Sequence, residues 1–370
     1  MYIHQKKTWP HFIWDSDLHL LKISTIRHKQ GQILGSLRTV GFDLKLETQL
    51  EILAQDIITS NAIEGNVIDP TEVRSSIAKR LGIQKAGLIS TTHYMDGLVD
   101  MMIDATQNFH LPLSKDRLCG WHCCLFPTGR SGMYRITVGD WRTDQDGPMQ
   151  VISGGMGREK IHFEAPQAHL LEEEMTRFIK WFNEADEEPI IKSAIAHLWC
   201  VTLHPFDDGN GRIARTLSDV LLSRSDQSTF RFYSMSAQIE REKHEYYRQL
   251  EIAQRGTLEI NAWIKWYLNC LDHALDSSKE ILDSLFVRTL FWEVHREVVL
   301  NARQKKMIMI LLDGFVGKLK SSKWAKMTKC SQDTALRDIK DLIEKGILKP
   351  EEGGGRSQSY QLILPEVQSL

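Results

Sequence analysis

Apolar residues recur at three- and four-residue steps through most of this chain, and that spacing commits it to a body of packed helices. Leu46, Leu50, Leu53, Ile57 and Ile58 form one stripe. Leu170, Leu171, Met175, Phe178, Ile179 and Phe182 form a second, and Ile191, Ala194, Ile195, Leu198 and Val201 a third. Positions three and four apart share a helix face, so each stripe predicts a helix with that face on a core. At 370 residues the chain can hold about two domains of roughly 100–200 residues each. Its 42% hydrophobic and 25% charged residues are ordinary for a globular protein, which excludes collagen-like, low-complexity and coiled-coil classes.

Two regions break the helical period. Arg135-Ile136-Thr137-Val138 and Met149-Gln150-Val151-Ile152 flank the turn-forming Asp144-Gln145-Asp146-Gly147-Pro148, which predicts a short β-hairpin. The acidic run Glu184-Ala185-Asp186-Glu187-Glu188-Pro189 is expected as a solvated break between helices. From about Thr257 helices continue through Trp263, Trp266 and Tyr267, and a long one is expected from Ser278 to roughly Arg303.

The last seventy or so residues differ in charge. The whole chain is near neutral at −2, yet Arg303 to Arg356 carries 13 Lys/Arg against 7 Asp/Glu, leaving 33 against 41 elsewhere. Ser331 reads as the cap of a helix with an apolar stripe at Ala335, Ile339, Leu342 and Ile343, ending at Gly346. Ile347-Leu348-Lys349 and Tyr360-Gln361-Leu362-Ile363 read as strands around a Gly353-Gly354-Gly355-Arg356 turn, and the pattern resembles a winged helix-turn-helix.

The six cysteines show no paired C-x-x-C spacing, so a zinc ribbon is not expected and reduced thiols are the simpler reading. His122-Cys123-Cys124 lacks companions at ligand spacing and reads as packing. No stretch approaches the ~18 uncharged apolar residues of a membrane span, and Met1 to Pro10 has no apolar signal region. A cytoplasmic, membrane-free protein is the expectation.

The densest chemistry lies in His204-Pro205-Phe206-Asp207-Asp208-Gly209-Asn210-Gly211-Arg212-Ile213-Ala214-Arg215. A Gly-Asn-Gly turn entering a helix can aim several backbone N–H groups at one point, where the helix dipole also favours an anion. Arg212 and Arg215 stand three apart, on one face of the first turn, within reach of one polyphosphate. Asp208 offers an oxygen ligand for a phosphate-bound Mg2+, and His204 a group able to accept a hydroxyl proton.

This segment resembles the signature of Fic-domain proteins, H-P-F-x-[D/E]-G-N-G-R-x-x-R, at every defined position. The resemblance implies a mainly α fold: a Fic-type helical bundle with a short β-hairpin flap, here followed by a small C-terminal winged helix-turn-helix (α+β) domain. It implies AMP transfer from ATP to a Ser, Thr or Tyr hydroxyl of a protein substrate, with a partner or the chain itself as the alternatives for that target. His204 would be the general base, Asp208 would hold Mg2+, and Gly209, Asn210 and Gly211 would cradle the phosphates. Arg212 and Arg215 would bind the β- and γ-phosphates, Phe206 would anchor the loop, and Tyr246 would either lie near the adenine or serve as a core tyrosine of an amphipathic helix. The hairpin at Arg135 to Ile152 would be the flap that aligns the target.

Ser60-Asn61-Ala62-Ile63-Glu64-Gly65 resembles the inhibitory-helix motif of the same family, [S/T]-x-x-x-E-[G/N], in an N-terminal position. The resemblance implies that Glu64 pairs with Arg215 and competes with the ATP γ-phosphate for its guanidinium, with Ser60 and Gly65 completing the regulatory motif. The expected domains are 1–100 for the N-terminal helical region, 101–280 for the catalytic core and 281–370 for the winged-helix module. Removal of AMP by the same site, and a nucleotide-responsive regulator binding DNA or protein through the basic C-terminal module, are the alternatives. Whether inhibition acts within one chain or across a homodimer stays open.

Overall fold

The structure is a computed structural model that describes residues 1–39, 42–83, 88–145, 147–153, 160–312, 314–315, 317–351 and 358–365. The chain divides into two compact units, Met1–Ser278 and Lys279–Leu370.

The first unit is helical. Its helices are α1 (Ser16–Thr39), α2 (Phe42–Ile63), α3 (Pro70–Arg80), α4 (His93–Gln107), α5 (Lys115–Leu125), α6 (Leu171–Glu184), α7 (Pro189–Leu203), α8 (Asn210–Asp226), α9 (Met235–Arg241), α10 (Lys243–Arg255) and α11 (Asn261–Val294), the last of which runs on past Ser278. Between α5 and α6 lie two antiparallel strand pairs, β1 (Arg130–Ser131) with β2 (Tyr134–Arg135), and β3 (Gln150–Ser153) with β4 (Lys160–Glu164).

Helices α7 and α8 form the centre. Every residue of α7 from Ile190 to Leu203 is buried, which explains a sequence apolar on all faces. The acidic run before it is a cap rather than a merely solvated break. Pro189 opens the helix with its φ preset, and the Glu188 carboxylate accepts from the backbone N–H groups of Ile190 and Ile191 at 2.8 and 2.9 Å. Glu187 accepts from Trp181 Nε1 at 2.9 Å. The preceding α6 has Glu172, Glu173 and Glu174 in its first turn, where the dipole favours them, and buries Leu171, Met175, Phe178 and Phe182. Phe178, Trp181 and Trp199 then form an aromatic cluster on α7.

The second unit holds the end of α11, then α12 (Ala302–Leu312), α13 (Ser321–Thr328), α14 (Gln332–Glu344), and an antiparallel pair, β5 (Leu348–Pro350) with β6 (Tyr360–Leu362). Ser331 caps α14, and Trp324, Met307, Ile308, Ala335, Ile339 and Leu342 build its core.

Two expectations change. The long helix starts at Asn261 and ends at Val294, since the aromatic stretch through Tyr267 is its buried first half. The ribbon pairs Gln150–Ser153 with Lys160–Glu164, not with Arg135–Val138. In that earlier segment Arg135 pairs with Arg130 of β1, and the Thr137 N–H donates to Asp207 of the motif loop at 2.7 Å. The Gly353–Arg356 turn and Asp146 lie outside the described residues. Among the described residues no helix is long and apolar enough to cross a membrane.

Candidate active site

The site begins where α7 must stop. His204 adopts a left-handed conformation (φ 50°, ψ 57°) just past Leu203, and Pro205 cannot extend the helix. Its Nδ1 lies 3.2 Å from the Val201 carbonyl. A carbonyl only accepts, so the ring proton sits on Nδ1 and Nε2 carries the lone pair. Burial, reinforced by the charge of Arg142, pushes the imidazole down to about 4, so it is neutral and able to accept a proton near neutral pH.

The loop after His204 is closed from inside. Asn210 is buried, its Oδ1 accepting from the Phe206 N–H at 2.9 Å and its Nδ2 donating to the Phe206 carbonyl at 2.8 Å. Its side chain therefore shapes the loop and only its backbone remains for a ligand. Phe206 is fully buried between His122, stacked at 4.2 Å between centroids, and Trp141 at 5.2 Å. Gly209 has φ 83°, and a Cβ there would stand 2.9 Å from the Phe126 ring and 3.0 Å from Leu125, so only glycine fits. The first intrahelical bond of α8 is from Ile213 to the Gly209 carbonyl at 3.0 Å, which leaves the N–H groups of Asn210, Gly211 and Arg212 pointing out of the helix end.

Both motif arginines are buried. Arg212 lies over the Phe126 ring at 5.0 Å and 3.8 Å from the Asp208 carboxylate, and its Nε has no partner. Arg215 donates from Nε to Ser60 Oγ and from Nη2 to the Ser60 carbonyl, both at 2.9 Å, and from Nη2 to Glu64 Oε1 at 2.7 Å. Its Nη1 has no partner. Burial works against the Arg215 charge, yet the Glu64 carboxylate outweighs it and the pKa rises above the usual value. Glu64 also covers the helix end. A Cβ on Gly211 would stand 2.3 Å from Glu64 Oε1, so the carboxylate lies directly on the α8 N-terminus.

The end of α2 that carries Glu64 is held from several sides. Gly65 turns it off at φ 81°, Lys243 Nζ reaches the Ala62 carbonyl at 3.4 Å, and the Tyr247 hydroxyl donates to the Ile63 carbonyl at 3.3 Å. Two turns earlier the buried Asp56 lies 3.9 Å from Arg231, which also bonds Asp219 of α8. Asp208 is the partly exposed member, accepting from the Ser131 hydroxyl.

Tyr246 is not where a nucleotide base could stack on it. It is buried, its hydroxyl 2.9 Å from His197 Nε2 and its ring beside Trp266. The neighbouring Tyr247 is the exposed ring. His122 packs in the core as expected, and more specifically its Nε2–H donates to the Asp208 carbonyl at 3.2 Å, with burial holding it down at about 4. Sequence reasoning misses Arg142. Its Nε donates to the His204 carbonyl at 2.8 Å, its backbone N–H to the Pro205 carbonyl at 2.9 Å, and its Nη2 to the Pro166 carbonyl, so it braces the loop from behind.

Comparison with known proteins identifies the domain. Residues 112–222 match the family model described as Fic/DOC family, and residues 2–83 match a domain of unknown function, DUF4172. The chain carries a Fic/DOC-family domain. A protein adenylyltransferase Fic of Culex quinquefasciatus is 32% identical over 105 residues, 28% of this chain and 19% of that protein. One of Drosophila melanogaster is 24% identical over 238 residues, 61% of this chain and 42% of that protein. The chain thus spans less than half the length of these relatives. In fold, it resembles a crystal structure of a Fic family protein from Desulfovibrio desulfuricans, with TM-score 0.51 and 18% identity over 92% of this chain and 96% of that one. A Fic domain containing signaling protein from Bacteroides thetaiotaomicron gives TM-score 0.51 and 19% identity over 70% and 95%. The mostly helical fold of this chain, with its small antiparallel strand pairs, is consistent with the Fic fold of both.

Proposed function

We propose that the chain transfers the adenylyl group of ATP to a hydroxyl of a protein, and that Glu64 keeps this site at rest. The observation that carries the reading is the pair of buried guanidiniums in the first turns of α8, each with an N–H that has no partner, following a neutral His204. A buried donor left unpaired costs about 1–3 kcal/mol, so two of them beside the backbone N–H groups of the α8 N-terminus fit phosphate oxygens that would take the place of the Glu64 carboxylate. The relatives' name, protein adenylyltransferase Fic, supports the same chemistry.

His204 Nε2 takes the proton of the target hydroxyl as its oxygen attacks the α-phosphate, and the bond to the β-phosphate breaks with pyrophosphate leaving. Arg212 and Arg215 hold the charge that develops on that leaving group. Asp208, its side chain 43% exposed, is the residue that would hold Mg2+. Among the described residues no group of three or more ligating side chains gathers, which suits a cation shared with phosphate oxygens. Bound there, Mg2+ would neutralise phosphate charge. The β4 edge of the β3–β4 ribbon is occupied by Arg255 and His4, which leaves the β3 edge as the one onto which an extended target segment can add as a strand.

On this reading residues 1–100 supply the restraining helix, 101–280 the transfer site and 281–370 an accessory module. The test is label from α-labelled ATP with Mg2+ in a broad lysate. Incorporation into proteins of the lysate should rise in Glu64→Gly and vanish in Glu64→Gly/His204→Ala. A folded Glu64→Gly chain that labels nothing refutes it.

A second reading concerns the C-terminal unit, favoured by where two of the acids of α14 go, although Asp333 and Glu344 at its ends stay exposed. Asp338 of α14 is buried, bonded to Arg303 at 2.7 and 3.0 Å and Asn301 at 2.9 Å, while Asp341 is tied to Gln304 and Lys345, both at 2.6 Å. Exposed on α13, the turn after it and α14 are Lys323, Lys326, Lys329, Arg337 and Lys340. That surface suits a nucleic-acid backbone, whose binding weakens steeply with salt. A mobility shift of the full chain on duplex DNA, lost in Lys323→Glu/Lys326→Glu/Arg337→Glu, is expected. Absence of a shift at low salt sinks the reading.

A further inference from the structure

Away from His204, the ribbon carries a second arrangement of reactive groups. Ser153 Oγ at the end of β3 lies 2.6 Å from His162 Nε2 of β4, and His162 Nδ1 lies 3.3 Å from Glu251 Oε2 of α10. A hydroxyl donating to Nε2 requires the ring proton on Nδ1, where it points to the Glu251 carboxylate. Serine, imidazole and carboxylate thus stand in the order that activates a hydroxyl.

The backbone is shaped to hold this geometry. Val151 pairs with Phe163 and Ile152 with Ile161, so His162 is the extra residue of a β-bulge. A bulge re-aims a side chain, and this one brings His162 across to the serine diagonal to it. The carbonyls at the interrupted ladder are taken up by Arg255, which donates to Ile161 at 2.9 Å and to His162 at 3.1 and 2.9 Å. The same guanidinium stands 3.6 Å from Glu251, so one helix, α10, orients both the strand and the carboxylate. His162 and Glu251 are 29% and 30% exposed, whereas Ser153 stands open on the ribbon. A hydroxyl presented outward fits an acceptor delivered to a transfer site better than the foot of a hydrolytic pocket.

We propose that Ser153 is a self-modification site of this chain, an acceptor that brings its own general base in His162, with Glu251 as the residue positioning that base. The proposal rests on the adenylyl transfer proposed above. In the step, the Ser153 Oγ–H proton passes to His162 Nε2 and Oγ bonds to the α-phosphorus of ATP. The bond from that phosphorus to the β-phosphate oxygen breaks, and pyrophosphate leaves with the electron pair. Glu251 steadies the imidazolium through Nδ1–H.

Two arms on the full-length chain test this. The first needs no transfer activity: di-isopropyl fluorophosphate should label Ser153, as read by peptide mapping. Labelling should be lost in Ser153→Ala and fall about 100-fold in His162→Asn, with recovery on adding free imidazole and a smaller drop in Glu251→Gln. Reactivity of Ser153 no greater than in the urea-unfolded chain overturns the activation. In the second arm, Glu64→Gly with ATP and Mg2+ should carry its adenylyl group on Ser153, more slowly in His162→Asn, while both variants bind a fluorescent ATP analogue equally. Adenylylation confined to other residues overturns the acceptor assignment. Should Ser153 react with the fluorophosphate while no protein takes an adenylyl group, the transfer reading fails and the acceptor role with it, leaving only the activated serine.

Discussion

Replacing Glu64 by glycine removes a carboxylate that lies on both Arg215 and the N-terminus of α8. Its bond to Arg215 Nη2 is 2.7 Å long, between a guanidinium 3% exposed and a carboxylate 30% exposed. Hydrogen bonds to charged groups contribute about 1.5–3 kcal/mol, and the partly open carboxylate argues for the lower half of that range. A phosphate needs the same guanidinium and the same N–H groups, so wild-type chain must first give up this contact. Relief of about 1.5–2 kcal/mol corresponds to a roughly 10- to 30-fold gain in affinity for ATP, since each 1.4 kcal/mol is tenfold. Glu64→Gln keeps the volume but loses the charge, and should recover only part of that gain. Titration with a fluorescent ATP analogue gives the affinities, and label from α-labelled ATP gives the matching rates. Equal affinity in wild type, Glu64→Gln and Glu64→Gly, with helical content unchanged by circular dichroism, refutes the competition. A gain in Glu64→Gln equal to that in Glu64→Gly would instead assign the whole effect to charge and none to space.

Other consequences follow from the same geometry. With His204 held near 4, transfer by Glu64→Gly should be flat from about pH 6 to 8 and fall only as pH drops toward 4, where protonation removes the lone pair; a midpoint near the ordinary histidine value of about 6.5 would contradict the assigned environment. His122 and His197 are also depressed by burial, to about 4 and about 3, so the unfolded chain takes up their protons first. Their contribution to stability is present above about pH 6.5 and lost at about 1.4 kcal/mol per pH unit for each as pH falls toward the folded values, which denaturant titrations should show as a slope reduced in His197→Gln. Gly209→Ala must place a Cβ against Phe126 and Leu125 at positive φ, and a loss of roughly 2–4 kcal/mol in chemical denaturation is expected. Asn210→Ala strands the buried N–H and carbonyl of Phe206; nucleotide affinity should fall with stability, and unchanged affinity would show that the loop keeps its shape without the clamp.

What the sequence disclosed, and what it hid, follows from where each interaction is encoded. The stripes through α6 and α7 are legible because burying a helix face imposes a period on consecutive residues. The Arg215 to Glu64 contact is legible only through two motifs 151 positions apart, since nothing in either segment alone names the other. The start of α8 is hidden because Gly209-Asn210-Gly211 has the composition of a loop, although Asn210 is already helical and spends its amide on the turn behind it. Arg142 and His122 are harder still. Their partners are the backbone carbonyls of His204, Pro166 and Asp208, and every residue type offers a carbonyl, so no pattern of side chains can announce the match. The ribbon shows the same effect. Arg135–Val138 has the residues of a strand, but Arg135 pairs with Arg130 of β1 and the Thr137 N–H bonds Asp207 of the motif loop, and the partner of Gln150–Ser153 is Lys160–Glu164. The bulge at His162 arises from that choice of partner, and the contact of His162 with Ser153 and Glu251 exists only once the register is set. Chemistry that depends on register is therefore the kind a motif search passes over, and Ser153 is where this chain should be probed for it.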